Sequence, residues 1–199
     1  MQNLKTFTVQ KLDIKLAQSF VIENHYAKGA ANTAIYIHGM FLKTKLYGLV
    51  WWMIPGSPNV ARWTARQFTG SVNWKNEVLT LSRMVILDSA PKNSASWLLS
   101  RSMSLIRRDK NYRVAVTYAD RRQNHTGHVY KAAGWVYTGE SSKEAGWVDS
   151  KGRQIARKAK KNRTKQEMYN LGYERLKPTT KARYIKAITR VKLHPRWLK

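Results

Sequence analysis

The sequence predicts an α/β protein built on one central sheet. Segments with the two-residue period of strands alternate with segments of helical period, in the order β, α, β-hairpin, β, α, β, α, β. The chain has 199 residues, of which 43% are hydrophobic, so it is long enough to bury a core of its own. The densest signals lie between Leu81 and Gly139, where polar residues end predicted strands beside predicted helix starts.

The predicted elements follow from local residue preferences. Runs of β-branched and aromatic residues predict strands at Thr6–Leu12, Thr33–His38, Lys45–Ile54, Glu77–Leu87, Tyr112–Tyr118 and Trp135–Thr138. Helical spacing predicts helices at Ile14–Ile22, Ser94–Arg108 and His125–Ala133, and a short helix is one interpretation of residues 61–76. Asp13 is the expected N-cap of the first helix, whose apolar stripe would hold Leu16, Phe20 and Val21. Gly39 is expected to form the hairpin turn.

The composition changes after Gly139, where Lys and Arg become frequent. We therefore expect a catalytic domain over residues 1–145 and a basic extension over residues 146–199, packed on that domain or continuous with it. Lys181–Val191 would be a strand or a helix. The most basic stretch, 151–165, is typical of a solvated helix or a disordered arm.

The formal net charge of +26, from 37 Lys and Arg against 11 Asp and Glu, points to a polyanionic partner. DNA or RNA is the first choice, and an anionic membrane is a weaker one because no strongly amphipathic basic helix is evident. Contacts with about six phosphates would give a log K against log salt slope near −5. The expected nucleic-acid-binding residues lie in the arm: Lys151, Arg153, Arg157, Lys158, Lys160, Lys161 and Arg163.

Other features of the composition limit the kinds of site and the cellular location that we expect. The chain has no cysteine, which excludes a disulfide-linked partner, a thiolate metal site and a cysteine nucleophile. The sequence has no apolar run of about 18 residues, so we expect no membrane span. No signal peptide is evident at the N-terminus. We therefore expect a cytoplasmic protein. The oligomeric state is left open.

A candidate anion site lies at the start of the helix over Ser94–Arg108. Asn93 or Ser94 is expected to cap this helix. The free N–H groups of its first turn, with Ser96 and Lys92, would bind a phosphate or pyrophosphate. The alternative is a well-capped core helix without a ligand, since the spacing of a P-loop is absent.

Polar residues at strand ends are the candidates for chemistry. Arg83, after Ser82, lies among apolar strand residues; it either faces water on an edge strand or is paired, with Asp120 as the natural partner. Asp120 ends a strand and is either a general base or a turn-capping aspartate. Tyr130 is either a proton donor or a core residue. His25, beside Tyr26, shows no metal-ligand spacing with the other histidines, although a mixed His/Asp site is possible.

Several motifs together resemble the Mom family of bacteriophage DNA-modification proteins. They are His25-Tyr26, Leu81–Arg83, Asp88–Ser96, Thr117–Asp120 and Gly127–Gly139, with a weaker echo at Lys181–Tyr184. The resemblance implies a fold similar to the GCN5-related N-acetyltransferases, a mixed, bent sheet with helices on both faces. It implies conversion of adenine in double-stranded DNA to N6-(carbamoylmethyl)adenine, which protects phage DNA from restriction inside the infected host. The adenine would leave the base stack, and Trp51, Trp52 or Trp63 would fill the gap or stack on the flipped base.

The resemblance also implies a donor and a set of residues. The donor would be acetyl-CoA or a related metabolite, and iron is a suggested requirement. The residues expected to bind the donor are Ser82, Lys92, Asn93, Ser94 and Ser96. The important polar positions would be His25, Tyr26, Arg83, Ser96, Asp120 and Tyr130. One departure is the loop before the Ser94–Arg108 helix, which has Pro91–Ser96 in place of the glycine-rich pyrophosphate loop of acetyltransferases. Two alternatives are an acetyltransferase for proteins or small molecules and a non-enzymatic nucleic-acid binder.

Overall fold

A computed structural model of the chain describes residues 3–26, 29, 31–155 and 163–198. In this part the strands β1 to β9 are, in chain order, Thr8–Lys11, Tyr36–Leu42, Lys45–Met53, Val78–Ile86, Val114–Asp120, Val136–Glu140, Trp147–Val148, Glu174–Arg175 and Lys181–Ala187. The helices α1 to α5 are Ile14–Asn24, Pro58–Ala65, Ser94–Asp109, His128–Ala132 and Lys165–Asn170.

Seven strands form the main sheet, in the order β1-β2-β3-β4-β5-β9-β6. Neighbouring strands are antiparallel except β4 and β5, which are parallel. A parallel pair needs a crossover connection, and α3 provides it. β7 and β8 form a separate two-stranded sheet. The predicted α/β class with a mixed sheet is confirmed.

Helices cover both faces of the main sheet because its central strands are apolar on both sides. In β3, Val50 and Trp52 belong to the core that also contains the apolar residues of α3. Their neighbours Leu49 and Trp51 belong to the core that contains the buried residues of α1. Successive strand residues point to opposite faces, so α1 and α3 lie on opposite sides. α2 packs with residues of β4, β5 and β9 in a third cluster.

The start of α1 follows the sequence prediction. The Asp13 carboxylate accepts hydrogen bonds from the backbone N–H groups of Lys15 (2.8 Å) and Leu16 (3.2 Å), so two of the free donors of the first turn are satisfied. Ala17 and Val21 are the buried residues of this helix. The predicted stripe is wrong at Leu16, whose side chain is 51% exposed.

The predicted hairpin is confirmed, but its turn is not at Gly39. Gly39 lies inside β2, and the turn is formed by Lys43, with φ +54°, and Thr44. A Cβ at Gly39 would lie 2.6 Å from Cε2 of Phe41. A side chain at this position would therefore require the Phe41 ring to move, and the glycine is not the point at which the chain reverses direction.

The C-terminal part of the chain contributes directly to the main sheet. β9 pairs antiparallel with β5 on one side and with β6 on the other. Ala182, Tyr184 and Ile185 are fully buried within it. The second strand neighbour of β5 thus comes from the basic region after residue 146.

Candidate functional site

The main sheet forks between its two parallel strands. β4 and β5 pair only from Val78 to Thr80 and from Val114 to Val116. Beyond that point β4 continues beside β3 and β5 continues beside β9. At the fork, Thr117 Oγ1 donates a hydrogen bond to the Leu81 carbonyl oxygen (3.3 Å). The fork therefore leaves strand edges that no neighbouring strand occupies, and two clefts open there.

The first cleft, of about 400 Å³, lies between the fork and the start of α4. Its walls come from the end of α1, from β4 beyond the fork, from the end of β5 and from the loop leading into α4. Its polar lining residues include His25, Tyr26, Ser82, Arg83, Tyr118, Asn124, His125, Thr126, His128 and Tyr130. This volume is typical of sites for small molecules and cofactors.

The second cleft, of about 490 Å³, lies beside the loop that precedes α2. Its lining includes Pro55, Gly56, Ser57, Val60, Asp120, Ser141, Ser142, Glu144, Lys181 and Arg183. Both clefts are lined by Tyr26, Leu81, Ser82, Arg83 and Tyr118. The shared wall allows molecules bound in the two clefts to meet at these residues.

His25 and Tyr26 lie at the end of α1, where they enter the first cleft. Their rings are 4.2 Å apart, and the ring of Tyr26 meets that of His125 edge-on at 5.6 Å. Burial and, to a lesser extent, the negative charge of Asp120 raise the pKa of Tyr26, while the positive charge of Arg83 opposes this increase. Tyr26 therefore stays protonated at neutral pH.

Arg83 is half-buried on the shared wall. Its Nε donates to the carbonyl oxygen of Gly29 (3.3 Å), and its Nη1 donates to that of Ser82 (2.8 Å). Among the described residues no ion pair joins Arg83 to Asp120, so the predicted pairing is wrong. Because the contacts of Arg83 are to neutral carbonyl oxygens, its charge is not neutralised within the described part of the chain.

Asp120 ends β5 and is 8% exposed. Its carboxylate accepts a hydrogen bond from the backbone N–H of Arg122 (2.9 Å) and caps the short 3₁₀ turn Arg121–Gln123. The interpretation of Asp120 as a capping residue is confirmed. Its second oxygen is not used in this cap, and the residue lines the second cleft.

Tyr130, in α4, contributes both to the core and to the first cleft. Its ring packs against those of Tyr184 (5.3 Å) and Trp135 (6.0 Å). Burial raises the pKa of Tyr130, so its hydroxyl is a proton donor at neutral pH. The helix that carries it starts at Gly127, with φ +78°, where a Cβ would overlap the Tyr184 ring.

The start of α3 differs from the prediction. Asn93 occupies the N-cap in a left-handed conformation, and its side chain makes no capping hydrogen bond. Ser94 Oγ donates to the Pro91 carbonyl oxygen (2.6 Å), and Ser96 Oγ donates to that of Asn93 (3.1 Å). The predicted side-chain cap is therefore wrong.

The predicted phosphate ligands at this helix start do not line either cleft. Lys92, Asn93, Ser94 and Ser96 are absent from both linings, and the first turn of α3 reaches the first cleft through Ala95. The positive end of this helix thus borders the first cleft through its backbone.

Two residues that line the clefts were not among the predicted site residues. Tyr118 lines both clefts, and Arg183, from β9, lines the second. The guanidinium of Arg183 lies 3.4 Å from the centre of the Trp63 ring, which belongs to α2. Burial raises the pKa of Tyr118, and the charge of Arg183 opposes that increase.

The tryptophans considered for base stacking are mostly inaccessible. Trp51 and Trp52 are fully buried, with Nε1 of Trp51 donating to the Thr33 carbonyl oxygen (3.0 Å) and Nε1 of Trp52 to Ser102 Oγ (2.8 Å). The prediction that they stack on a base is wrong. Trp63 is half-buried beside the second cleft.

The predicted basic arm is only partly described. Arg157, Lys158, Lys160 and Lys161 lie outside the described residues. Lys151 is exposed, and Arg153 forms an ion pair with Asp149 (2.6 Å). Arg163 is half-buried. The role of this arm in binding nucleic acid stays a prediction.

The described residues contain neither a metal-ion cluster nor a membrane-spanning helix. Within residues 3–26, 29, 31–155 and 163–198, no three His, Asp or Glu side chains lie close enough to hold a metal ion. These residues therefore do not fit the suggested iron site. None of the helices in the same ranges has both the length and the apolar character needed to cross a bilayer.

The fold of this chain is similar to that of solved N-acetyltransferases. The acetyltransferase YncA of Salmonella typhimurium, solved with acetyl-CoA, has a TM-score of 0.53 at 12% identity, covering 93% of this chain and 95% of that one. Spermidine N-acetyltransferase of Vibrio cholerae, solved with CoA and spermine, has a TM-score of 0.53 at 10% identity, with 92% and 95% covered. These identities establish the fold alone.

The sequence comparison identifies the family. The chain belongs to the Mom protein family, whose sequence profile matches residues 6–194. It is 26% identical over 147 residues to the methylcarbamoylase Mom of Escherichia phage Mu. The match covers 73% of this chain and 58% of that protein, so this chain spans less than two thirds of the length of its relative.

Proposed function

We propose that this protein is a transferase that modifies adenine in duplex DNA. The product is N6-(carbamoylmethyl)adenine, formed inside the bacterial host to protect phage DNA from restriction. One observation carries the proposal: two clefts share a wall of Tyr26, Ser82 and Arg83 at the fork of an acetyltransferase fold, in a chain of the Mom family.

Such a reaction requires a donor and an adenine to meet, and each cleft binds one of these two substrates. The first cleft, bordered by the start of α3, receives the donor. The second receives the adenine, which leaves the base stack at a cost of a few kcal/mol. The amino group N6 then lies at the shared wall, next to Tyr26 and Arg83.

The residues of this chain supply proton transfer and charge stabilisation. Asp120, whose second carboxylate oxygen is not used in its cap, removes a proton from N6 as N6 bonds to the methylene carbon of the transferred group. The bond between that carbon and the leaving group of the donor breaks in the same step. Arg83, with a charge not neutralised by a carboxylate in the described chain, binds the carboxamide oxygen of the transferred group and so orients its methylene carbon towards N6. Tyr130, kept protonated by burial, donates a proton to the leaving group. His25 and Tyr26 position the reacting groups between the two clefts.

A CoA thioester is compatible with the fork. The edges of β4 and β5 beyond Thr80 and Val116 face no neighbouring strand, so their peptide groups can pair with the amides of a pantetheine arm. The N-terminal end of α3 favours an anion, and Lys92 is exposed at its start. When bound, such a donor would bring the group to be transferred to the shared wall of the clefts.

The nature of the product constrains the donor further. Plain transfer from acetyl-CoA would bond N6 to a carbonyl carbon and give N6-acetyladenine. In N6-(carbamoylmethyl)adenine, N6 is bonded to a methylene carbon, and the added group contains one nitrogen and one hydrogen more than acetyl. The donor must therefore bring the amide nitrogen, which favours a relative of acetyl-CoA over acetyl-CoA itself.

The test is mass spectrometry of nucleosides from plasmid DNA in cells that express the protein. We expect a deoxyadenosine adduct whose elemental composition identifies the transferred group. Asp120→Asn is the matched variant, because an amide oxygen can still accept the N–H of Arg122 while the base is lost. We expect this variant to reduce the adduct at least ~100-fold.

The other outcomes are equally informative. A wild-type yield from Asp120→Asn would remove Asp120 from the role of base. Unmodified nucleosides from a folded, DNA-bound wild-type protein would leave the protein as a nucleic-acid binder. Acetylation of a protein or a small molecule, with DNA unchanged, would establish the acetyltransferase alternative.

A further inference from the structure

Two segments that are distant in sequence form one surface beside α2. Residues 58–76 contain α2 and the loop after it, and residues 188–198 follow β9. The backbone N–H of Thr69 donates to the Lys192 carbonyl oxygen (2.8 Å), and that of His194 donates to the Gln67 carbonyl oxygen (2.8 Å). Trp197 Nε1 donates to Gln67 Oε1 (3.2 Å). We call the surface of these two segments the α2 face.

The α2 face is strongly and uniformly positive. Its two segments contain no Asp or Glu. Their cationic residues are all exposed, and they are Arg62, Arg66, Lys75, Arg190, Lys192 and Arg196. No ion pair in the described chain involves any of them. The nearest carboxylate in sequence, Glu77, is paired with Arg113 (3.5 Å). This concentration of unneutralised charge fits a polyanion.

Tryptophan rings hold several of these cations in place. The Arg62 guanidinium lies 4.3 Å from the centre of the Trp74 ring, and Lys75 lies 5.8 Å from it on the same loop. The Arg196 guanidinium lies 5.2 Å from the Trp197 ring. A guanidinium stacked on a ring keeps its N–H groups at the edge, where they can donate to phosphate oxygens.

The α2 face is continuous with the second cleft. Val60, in the first turn of α2, lines that cleft, as does Ser57 just before it. Arg183 also lines it and stacks on Trp63 of α2. A DNA strand whose phosphates contact the face would therefore have a nucleotide at the mouth of the cleft.

We infer that the α2 face is the surface on which duplex DNA docks, through its phosphates, to present a base to the second cleft. The inference rests on the proposed function, which supplies DNA as the partner. It places the main phosphate contacts on folded elements of the domain and not on the basic stretch 151–165. The contacts are to the backbone, so they carry little sequence preference.

The test measures the salt dependence of binding to a short duplex by fluorescence anisotropy. The triple variant Arg62→Gln, Lys75→Gln and Lys192→Gln removes three charges of the face. Each lost phosphate contact lowers the slope of log K against log salt by about 0.9. We expect the variant to lose about 3 units of slope.

The matched control removes three exposed cations elsewhere: Lys5→Gln, Lys15→Gln and Arg101→Gln. Arg101 is also stacked on a tryptophan, 5.6 Å from the ring of Trp97. We expect this control to change the slope by less than about 1 unit. Equal losses in the two variants would overturn the inference, since they would show that binding depends on total charge.

A second measurement needs no variant. Hydrogen–deuterium exchange of the wild-type protein should show slower exchange over residues 58–76 and 188–198 when the duplex is added. Unchanged exchange there, with protection elsewhere, would overturn the inference even if DNA is still modified. Conversely, DNA binding through this face without any adduct in DNA would refute the proposed function and support the docking surface.

Discussion

Protonation of His38 is expected to destabilise the fold below neutral pH. His38 is 6% exposed, in β2, and its Nδ1 lies 2.7 Å from Ser102 Oγ of α3. Trp52 Nε1 can only donate, so Ser102 Oγ accepts from it and is able to donate its own proton to a neutral His38. Burial lowers the pKa of His38 from 6.5 to about 4; Lys11 adds to this shift, and the opposing charge of Asp109 reduces it.

The sign and size of the effect follow from that shift. Between pH 6.5 and about 4 the unfolded chain binds a proton at His38 and the folded chain does not, so acidification favours unfolding. The free energy of unfolding falls by about 1.4 kcal/mol per pH unit. Between pH 6.5 and about 4 the free energy of unfolding falls by about 3 kcal/mol in total. Above pH 6.5 His38 is neutral in both states, and this loss disappears.

The assay is urea unfolding followed by tryptophan fluorescence across that pH window, for the wild type and His38→Gln. Glutamine fills a similar volume and does not titrate. Carboxylates contribute equally to both proteins, so the difference between their pH slopes isolates His38. Parallel slopes would refute the reasoning, because they would mean that His38 binds its proton equally well in the folded state.

Two further predictions concern local conformation. Gly127→Ala should lower the free energy of unfolding by at least about 2 kcal/mol, because alanine is strained at φ +78° and its Cβ would overlap the Tyr184 ring. An unchanged midpoint of urea unfolding would show that the ring moves aside at little cost. Asp13→Ala should cost about 1 kcal/mol in the same measurement, whereas Asp13→Asn should cost much less because an amide oxygen also caps a helix. Equal losses in the two Asp13 variants would show that the charge, and not the hydrogen bonds, stabilises α1.

Local signals predicted the elements well where the structure depends on local contacts. Asp13 caps α1 as expected, and α3 begins at Ser94. Where residues distant in sequence determine the local structure, predictions from the local sequence pattern were wrong. Gly39 lies inside β2 against the ring of Phe41 and not in a turn, and Leu16 is exposed although its spacing places it on an apolar stripe.

The sequence predicted where the candidate site lies better than it predicted which residues of the site contact one another. Residues at the ends of β4 and β5 were expected to lie together, since parallel strands end at the same edge. The sequence does not reveal where the two strands separate. Because they fork after Thr80 and Val116, Arg83 and Asp120 are not paired. Arg183 was missed because Lys181–Val191 was predicted as a strand or a helix without a place in the sheet, and its pairing with β5 depends on residues distant in sequence.

The position of β9 connects the two halves of the proposed function. It pairs with β5 along the length that ends at Asp120, and it carries Arg183 to the second cleft. The residues that follow it return to Gln67 and complete the α2 face. A single C-terminal segment thus supports both the strand that carries the proposed base and the surface proposed to hold DNA. Nucleotide presentation and chemistry would therefore share one rigid support, which favours a fixed distance between the docked backbone and the shared wall of the clefts.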